Sequence, residues 1–156
     1  MSEPKLNPRY VEAVAKVVNQ SPYFSLLSME IRDLQWGTSL LEIQLAEKHL
    51  QPFGFVHGGA MASIMDAATF WAVFPQIEKG LGLTTVEIKV NFLAPAQKGK
   101  LVAKGRCIRL GKTLALGDAE IRNHEGGLVA HGTATMMVVP GLKIPGHENL
   151  PLSRPE

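Results

Sequence analysis

The sequence predicts an α+β domain in which a curved, mostly antiparallel sheet wraps around one long buried helix. The helix is predicted from the stretch VHGGAMASIMDAATFWAVFP, residues 56–75, which has apolar residues on every side of a helical wheel. The sheet is predicted from about six segments of alternating or apolar pattern that are joined mostly by short turns. A helix that is apolar all round needs cover on all sides. The curved sheet supplies most of that cover, and a second subunit is a source of the rest.

The composition is typical of one globular domain and excludes several classes of function. Of the 156 residues, 46% are hydrophobic and 19% are charged. The formal net charge of +2 is too small to indicate nucleic-acid binding by itself. Neither a secretion signal nor an apolar run long enough for a membrane span is found, so we expect a cytoplasmic protein. Cys107 is the single cysteine, and no metal-binding spacing of Cys and His occurs.

The N-terminal part is predicted to hold one helix. Residues 1–8 are polar and contain two prolines, so a flexible start is expected. Pro8 is suited to the first position of a helix that Asn7 caps and that ends near Gln20. Residues 23–28 are expected to form a short helical turn or a loop.

The strands follow from period-two patterns. Between Thr85 and Phe92, for example, apolar and polar residues alternate without interruption. Strands are predicted over residues 29–35, 38–45, 85–92, 99–109, 112–123 and 128–138. The domain is therefore predicted to span residues 9–139, followed by a loose, proline-rich tail over residues 140–156.

One acid interrupts the apolar helix. A carboxylate on a buried helix is costly unless its surroundings compensate it, so Asp66 requires an explanation. Either it is a structural acid held by Ser63 or Thr69, each three residues away, or it is retained for chemistry. The structural alternative for Gly58-Gly59 is a tight loop-to-helix turn. For His57 it is a hydrogen bond that holds the loop. His49, His124 and His131 are expected at the surface or in the sheet.

The segment HLQPFGFVHGGAMASIMDAA, residues 49–68, resembles the hotdog-fold acyl-CoA thioesterases, and is most similar to the phenylacetic-acid-pathway, or PaaI-like, branch. The segment VEIKVNFLAPAQKGKLVAKGRCIRLGKT, residues 86–113, also resembles this family. The resemblance implies a hotdog fold and hydrolysis of an acyl- or aryl-CoA thioester to free acid and CoA. It also implies that the reaction needs no metal or organic cofactor.

The resemblance implies roles for individual residues. Gly58 would donate its backbone N–H to the thioester carbonyl, and Asp66 would act as general base or nucleophile. His57 would shape the helix start or contact the thioester region. Gln51 stands where the family usually has Asn and would orient water or the carbonyl. Thr85 stands where some relatives place a hydroxyl near the attacking water.

Helix geometry predicts that the site is shared between two subunits. Gly58 and Asp66 are eight positions apart, which is about 12 Å along a helix at roughly 1.5 Å per residue. A reacting carbonyl must lie about 3 Å from both donor and base, which one helix cannot provide. Two antiparallel helices across a two-fold axis can, so a homodimer is predicted to be essential. The resemblance implies that two dimers pair as a homotetramer.

The substrate side of the prediction rests on further residues. Gly59 and Thr69 are candidates for substrate contact near the helix. A run of cations without acids occupies residues 98–112 and consists of Lys98, Lys100, Lys104, Arg106, Arg109 and Lys112. Arg109 and Lys112 flank the predicted turn and are the candidates for the phosphates of CoA. The alternative for this run is a solvated face of the sheet.

Two other functions are compatible with the same fold. A non-catalytic acyl-CoA-binding hotdog domain, acting as sensor or carrier, would keep the pocket and the cations and would not need Asp66. A hotdog hydratase or dehydratase would need a differently placed histidine and acid, and no such motif is found. No nucleic acid or membrane partner is expected.

Overall fold

Helices and strands occur in the predicted order, with boundaries shifted by a few residues. The computed structural model describes residues 4–146 and 149–154. The helices of this described part are Pro8–Asn19 (α1), Pro22–Leu27 (α2) and Gly58–Val73 (α3). Its strands are Met29–Gln35 (β1), Thr38–Gln44 (β2), Leu81–Phe92 (β3), Lys100–Leu110 (β4), Leu114–Arg122 (β5) and Leu128–Pro140 (β6).

The six strands form one curved antiparallel sheet around α3. Their spatial order is β1-β2-β4-β5-β6-β3, and every neighbouring pair is antiparallel. α3 contacts all six strands, and its fully buried side chains include Ile64, Met65 and Val73. The predicted arrangement of a sheet around a central helix is confirmed.

α1 is amphipathic and packs against β1. Asn7 caps it as predicted, because the Asn7 carboxamide oxygen accepts a hydrogen bond from the Arg9 N–H at 3.0 Å. One face of the helix is buried through Tyr10, Val14 and Val18. The N-terminal helix therefore covers one end of the sheet.

The two edges of the sheet differ. At the β1 edge, the side-chain amide of Asn19 bonds both backbone groups of Ile31, accepting from its N–H at 2.7 Å and donating to its carbonyl at 3.3 Å. At the other edge, β3 is hydrogen-bonded to β6 alone. Val86, Ile88 and Phe92 of β3 are 53%, 38% and 57% exposed, so this edge carries apolar surface.

The residues after β6 contain no helix or strand in the described part, yet they return to the domain. The Asn7 N–H donates to the carbonyl of Ser153 at 2.9 Å, and the Arg154 guanidinium lies 4.5 Å from the ring centre of Trp36. Ile144 and Leu150 pack against the core. That the tail and the first residues are loose remains a prediction. None of the described helices combines the length and apolarity that crossing a bilayer requires.

Candidate active site

A buried histidine holds the loop that leads into α3. His49 is only 1% exposed. Its Nδ1 accepts from the Ala46 N–H at 2.9 Å and its Nε2 lies 2.7 Å from the carbonyl oxygen of Leu27, so the ring proton belongs on Nε2. The His49 carbonyl in turn accepts from the His57 N–H at 2.8 Å. The predicted surface or sheet position of His49 was wrong, because its contacts depend on Leu27, which is distant in sequence.

The start of α3 leaves one backbone donor available. His57 caps the helix, and its Nδ1 accepts from the Gly59 N–H at 2.8 Å. This contact agrees with the structural interpretation of His57 and occupies the Gly59 amide. Among the described residues nothing accepts the Gly58 N–H, as expected for the first helical position. A helix N-terminus with a free N–H suits a developing negative charge.

Gly58 also has a packing reason to be glycine. A Cβ at this position would lie 3.0 Å from Cζ of Phe92 at the end of β3. The absence of a side chain therefore lets the Phe92 ring cover the helix start. Because Phe92 is 57% exposed, the ring has room to move when another group approaches.

Asp66 is half-buried and is held by β3. Its Oδ1 accepts a hydrogen bond from the Thr85 hydroxyl at 2.7 Å. The Ser63 hydroxyl donates to the Gly59 carbonyl at 2.8 Å. Thr69 donates to the backbone carbonyls of Met65 and Asp66 at 3.1 and 2.9 Å. Neither hydroxyl on the helix bonds the Asp66 carboxylate, so the proposed tie through Ser63 or Thr69 is absent from the described contacts.

A cleft of about 390 Å³ opens beside Asp66. Apart from Asp66 and two hydroxyls, its lining is apolar and comes from α2, α3 and the strands beside them. The larger apolar side chains in it are Phe24, Met29, Phe70, Trp71 and Ile88. The Tyr23 hydroxyl lies 2.7 Å from that of Ser63 and spans from α2 to α3. Sequence reasoning missed Tyr23, which α2 carries to the site.

Gln51 stabilises the turn that precedes α3. Its side-chain oxygen accepts from the Phe53 N–H, and its backbone N–H donates to the Phe55 carbonyl at 2.7 Å. No described contact joins its carboxamide to Asp66. Thr69 is completely buried, and its hydroxyl is used within the helix. As placed, Thr69 has no surface with which to contact a substrate.

The structure separates the predicted phosphate-binding cations from Asp66. Arg109 is paired with Leu116, an exposed position between buried neighbours, so both lie on the sheet face away from α3. Lys112 is exposed in the turn that the hydrogen bond from Gly111 N–H to Leu114 O closes at 2.9 Å. Neither cation forms an ion pair with a described residue, whereas Arg106 bonds Asp118 at 2.7 Å.

Within the described ranges, no three side chains of His, Cys, Asp or Glu are arranged to hold a metal ion. Cys107 is half-buried, and burial raises the pKa of its thiol. The chemistry present at the cleft is therefore that of the Asp66 carboxylate and the hydroxyls of Tyr23 and Ser63, with the Thr85 hydroxyl bonded to the carboxylate.

Comparisons with known proteins bear on the family and the fold. The family described as "Thioesterase superfamily" matches residues 53–130. A putative esterase of Saccharolobus solfataricus is 30% identical over 128 residues, covering 82% of this chain and 85% of the relative. A 1,4-dihydroxy-2-naphthoyl-CoA hydrolase of Listeria monocytogenes is 27% identical over 112 residues, covering 72% and 91%. The solved structure of the E. coli PaaI protein superposes with a TM-score of 0.75 at 22% identity, covering 83% and 93%.

Proposed function

Because this chain belongs to the thioesterase superfamily and has the hotdog fold of its PaaI-like branch, we propose that it hydrolyses acyl- or aryl-CoA thioesters to free acid and CoA. Membership of the family makes it a thioester hydrolase. The CoA part of the substrate is supported by the name of the Listeria relative, a hydrolase of an aryl-CoA. The observation that carries the proposal is the Asp66 carboxylate, which opens into an otherwise largely apolar cleft.

Asp66 performs the acid–base or nucleophilic step. As general base it takes a proton from the water that attacks the carbonyl carbon. As nucleophile it attacks that carbon itself, and water then releases the acid. In both routes the carbon–sulfur bond breaks and the thiolate of CoA takes up a proton. Thr85 orients the carboxylate through Oδ1, while Oδ2 has no partner among the described residues.

Gly58 stabilises the negative charge that develops on the carbonyl oxygen. Its N–H is the backbone donor left free at the start of α3, since the Gly59 amide bonds His57. His57 therefore acts by fixing the helix start, and Gln51 by shaping the loop before it. The Gly59 backbone contributes by allowing close approach of the substrate.

The two groups meet across a dimer. Along one helix Gly58 and Asp66 are about 12 Å apart at roughly 1.5 Å per residue, too far for one carbonyl. Pairing of two β3 edges about a two-fold axis would extend the sheet and set the two α3 helices antiparallel. Exposed Val86 and Ile88 and the unpaired outer edge of β3 support this arrangement. Each dimer then has two sites, and two dimers form the homotetramer.

Arg109 and Lys112 bind the phosphates of CoA from the rim of the sheet. Both are exposed and lack a described ion-pair partner, which supports this role. Because they lie on the sheet face away from α3, they serve a site other than the cleft beside Asp66 of the same chain. The reaction proceeds in the cytoplasm without a resident metal or organic cofactor.

The proposal is tested by incubating the protein with aromatic, medium-chain and long-chain acyl-CoAs and following free thiol with a colorimetric reagent. Hydrolysis of at least one class is expected, and Asp66→Ala should abolish it while the fold and the oligomer persist. Binding of the panel without turnover would overturn the proposal and identify a non-catalytic acyl-CoA-binding domain.

A further inference from the structure

A second cavity lies at the opposite end of α3 from His57. It has a volume of about 210 Å³, is partly open to solvent, and lies between α1, the turn after α3, the start of β3 and the chain after β6. Its apolar lining includes Phe74, Ile77, Leu81, Leu142, Ile144 and Leu150. None of the residues proposed for hydrolysis lines it. A largely apolar lining with a few polar groups is typical of small-molecule sites.

One buried side chain of this cavity carries a polar group that has no partner among the described residues. Tyr10 on α1 lines the cavity and is 5% exposed, and its hydroxyl forms no hydrogen bond with the residues that the structure describes. Buried tyrosine hydroxyls usually find a partner. No described side-chain polar atom is both sealed from solvent and unpartnered, so this hydroxyl must open into free space. The cavity is the space that Tyr10 lines, and burial raises the pKa of the phenol, which keeps it a hydrogen-bond donor.

The rim of the cavity is cationic. Lys79 and Lys143 line it and are exposed, with Glu78 as the acid nearby. Neither lysine forms an ion pair with a residue in the described ranges. The sum of these charges is +1, which favours an anion over a cation at the entrance.

The walls are built by specific contacts. A Cβ at residue 82 would overlap both the side chain and the carbonyl oxygen of Leu142, so Gly82 lets the chain after β6 lie against β3. The Gly141 N–H donates to the Gly80 carbonyl at 3.0 Å, which fixes the start of this segment. The bond between Asn7 and Ser153 fixes its return. Gly82 and the hydrogen bonds of Gly141 and Ser153 therefore hold the chain after β6 in the position that forms a wall of the cavity.

We propose that this cavity binds a small monocarboxylate with an apolar body, whose oxygen accepts a hydrogen bond from the Tyr10 hydroxyl. The apolar walls bury the body of the ligand, and the lysines favour its negative charge. The volume corresponds to roughly seven water molecules at about 30 Å³ each, which limits the ligand to a short chain or one ring. Hydrolysis of a thioester releases a carboxylic acid, so the enzyme itself produces this class of molecule.

The test is an NMR titration of the full chain with hexanoate, 1-hexanol and hexylammonium, which share one apolar body and differ in charge. Shifts are expected around residues 77–81, 142–144 and 150–153, with hexanoate binding most tightly and hexylammonium most weakly. Tyr10→Phe should weaken hexanoate roughly ten-fold, because it removes a hydrogen bond to a charged group. Tyr23→Phe is the matched control at the other cleft and should leave this affinity unchanged.

Lys143→Glu gives a second arm that leaves the core intact. Reversing this rim charge should weaken hexanoate by several-fold and have little effect on hexanol. Shifts confined to the cleft at Asp66, equal hexanoate affinity in Tyr10→Phe, or no saturable shift in either region would overturn the proposal. The titration contains no thioester, so its result is independent of the assignment of the hydrolytic residues.

Discussion

The two edge strands of the sheet, β1 and β3, differ in whether side chains cover their exposed backbone groups. An edge strand exposes backbone groups that can pair with another strand. At β1 the carboxamide of Asn19 occupies both backbone groups of Ile31, and Arg32 forms ion pairs with Glu30 and Glu42 at 2.9 and 3.1 Å. A β-bulge also interrupts this strand between Ile31 and Asp33. These features block pairing.

At β3 no comparable side chain covers the edge within the described part of the chain. The strand is 12 residues long, and its exposed residues include Val86 and Ile88. A long edge with apolar side chains is unfavourable in a free monomer and suits pairing with a second copy. These differences support the proposal that a dimer interface lies at β3, the strand whose Thr85 holds Asp66.

The largest expected effect comes from disrupting the β3 edge. Val86→Lys places a charge in the predicted interface and should convert the dimer into a monomer. Hydrolysis should fall by about 10³-fold or more, because each site loses the donor that its partner supplies. Light scattering and the free-thiol assay measure the two effects. Asp33→Lys introduces the same residue at the β1 edge and should change neither; a Val86→Lys dimer with full activity would contradict the assignment.

Asp66→Asn removes the base and keeps the size of the side chain. The Asn oxygen can still accept from Thr85, so the fold should persist. Hydrolysis is expected to fall by about 10²–10⁴-fold, the usual contribution of a general base. Steady-state kinetics with a good acyl-CoA check this prediction, and circular dichroism serves as the control. Retention of more than a tenth of the activity would exclude Asp66 from chemistry.

Two substitutions at Gly58 separate its N–H from its lack of a side chain. His57 has φ −64° and ψ 136°, a conformation that a following proline favours, and proline suits the first helical position. Gly58→Pro removes the N–H and should lower kcat by about 10²–10³-fold. Gly58→Ala keeps the N–H and only crowds Phe92, so its loss should be smaller. Equal losses in both variants would mean that packing, not hydrogen bonding, explains the glycine.

Asn19→Ala tests whether the Asn19 side chain stabilises the β1 edge. The substitution leaves the N–H and carbonyl of Ile31 without their side-chain partner, which should lower the free energy of unfolding by about 1–3 kcal/mol. Urea denaturation measures this change. Hydrolysis per folded molecule should stay unchanged because Asn19 does not line the cleft beside Asp66. An unchanged free energy of unfolding would show that the cap does not stabilise β1.

The smallest effect concerns pH. A hydrogen bond from Lys100 keeps the pKa of Glu42 below its ordinary value of 4.5. A lowered folded-state pKa stabilises the fold above the unfolded-state value, and this contribution is lost as pH falls through the folded-state pKa. Glu42→Gln should therefore reduce the drop in thermal midpoint between neutral pH and about pH 4 by only a small amount. If the thermal midpoint fell more steeply with pH in Glu42→Gln than in the wild type, Glu42 would not stabilise the fold in this way.

The fold was predictable because its signals are local. The apolar stretch that forms α3 and the alternation over β3 can both be read within one element, and Asn7 precedes the helix that it caps. The boundaries differed where tertiary contacts extend an element, as in β3, which starts at Leu81.

The site was harder to predict from the sequence than the fold, because its contacts join segments that are distant along the chain. Tyr23 meets Ser63 across 40 positions, and His49 bonds Leu27 across 22, so no local pattern reports either contact. The hydrogen bond between Thr85 and Asp66 was not predicted, because the family resemblance indicated only a Thr85 hydroxyl near the attacking water. The orientation of Arg109 depends on a β-bulge between Cys107 and Arg109, which shifts the alternation of side chains.

The central claim is that each site combines Gly58 of one chain with Asp66 of another, and mixed oligomers test it most directly. Asp66→Asn and Gly58→Pro chains are each nearly inactive alone. When the two are co-produced in equal amounts, half of the dimers are hybrids with one intact site out of two. The account predicts that the mixture recovers about a quarter of wild-type activity. A mixture as inactive as its two components, with hybrids demonstrated by mass spectrometry, would contradict it.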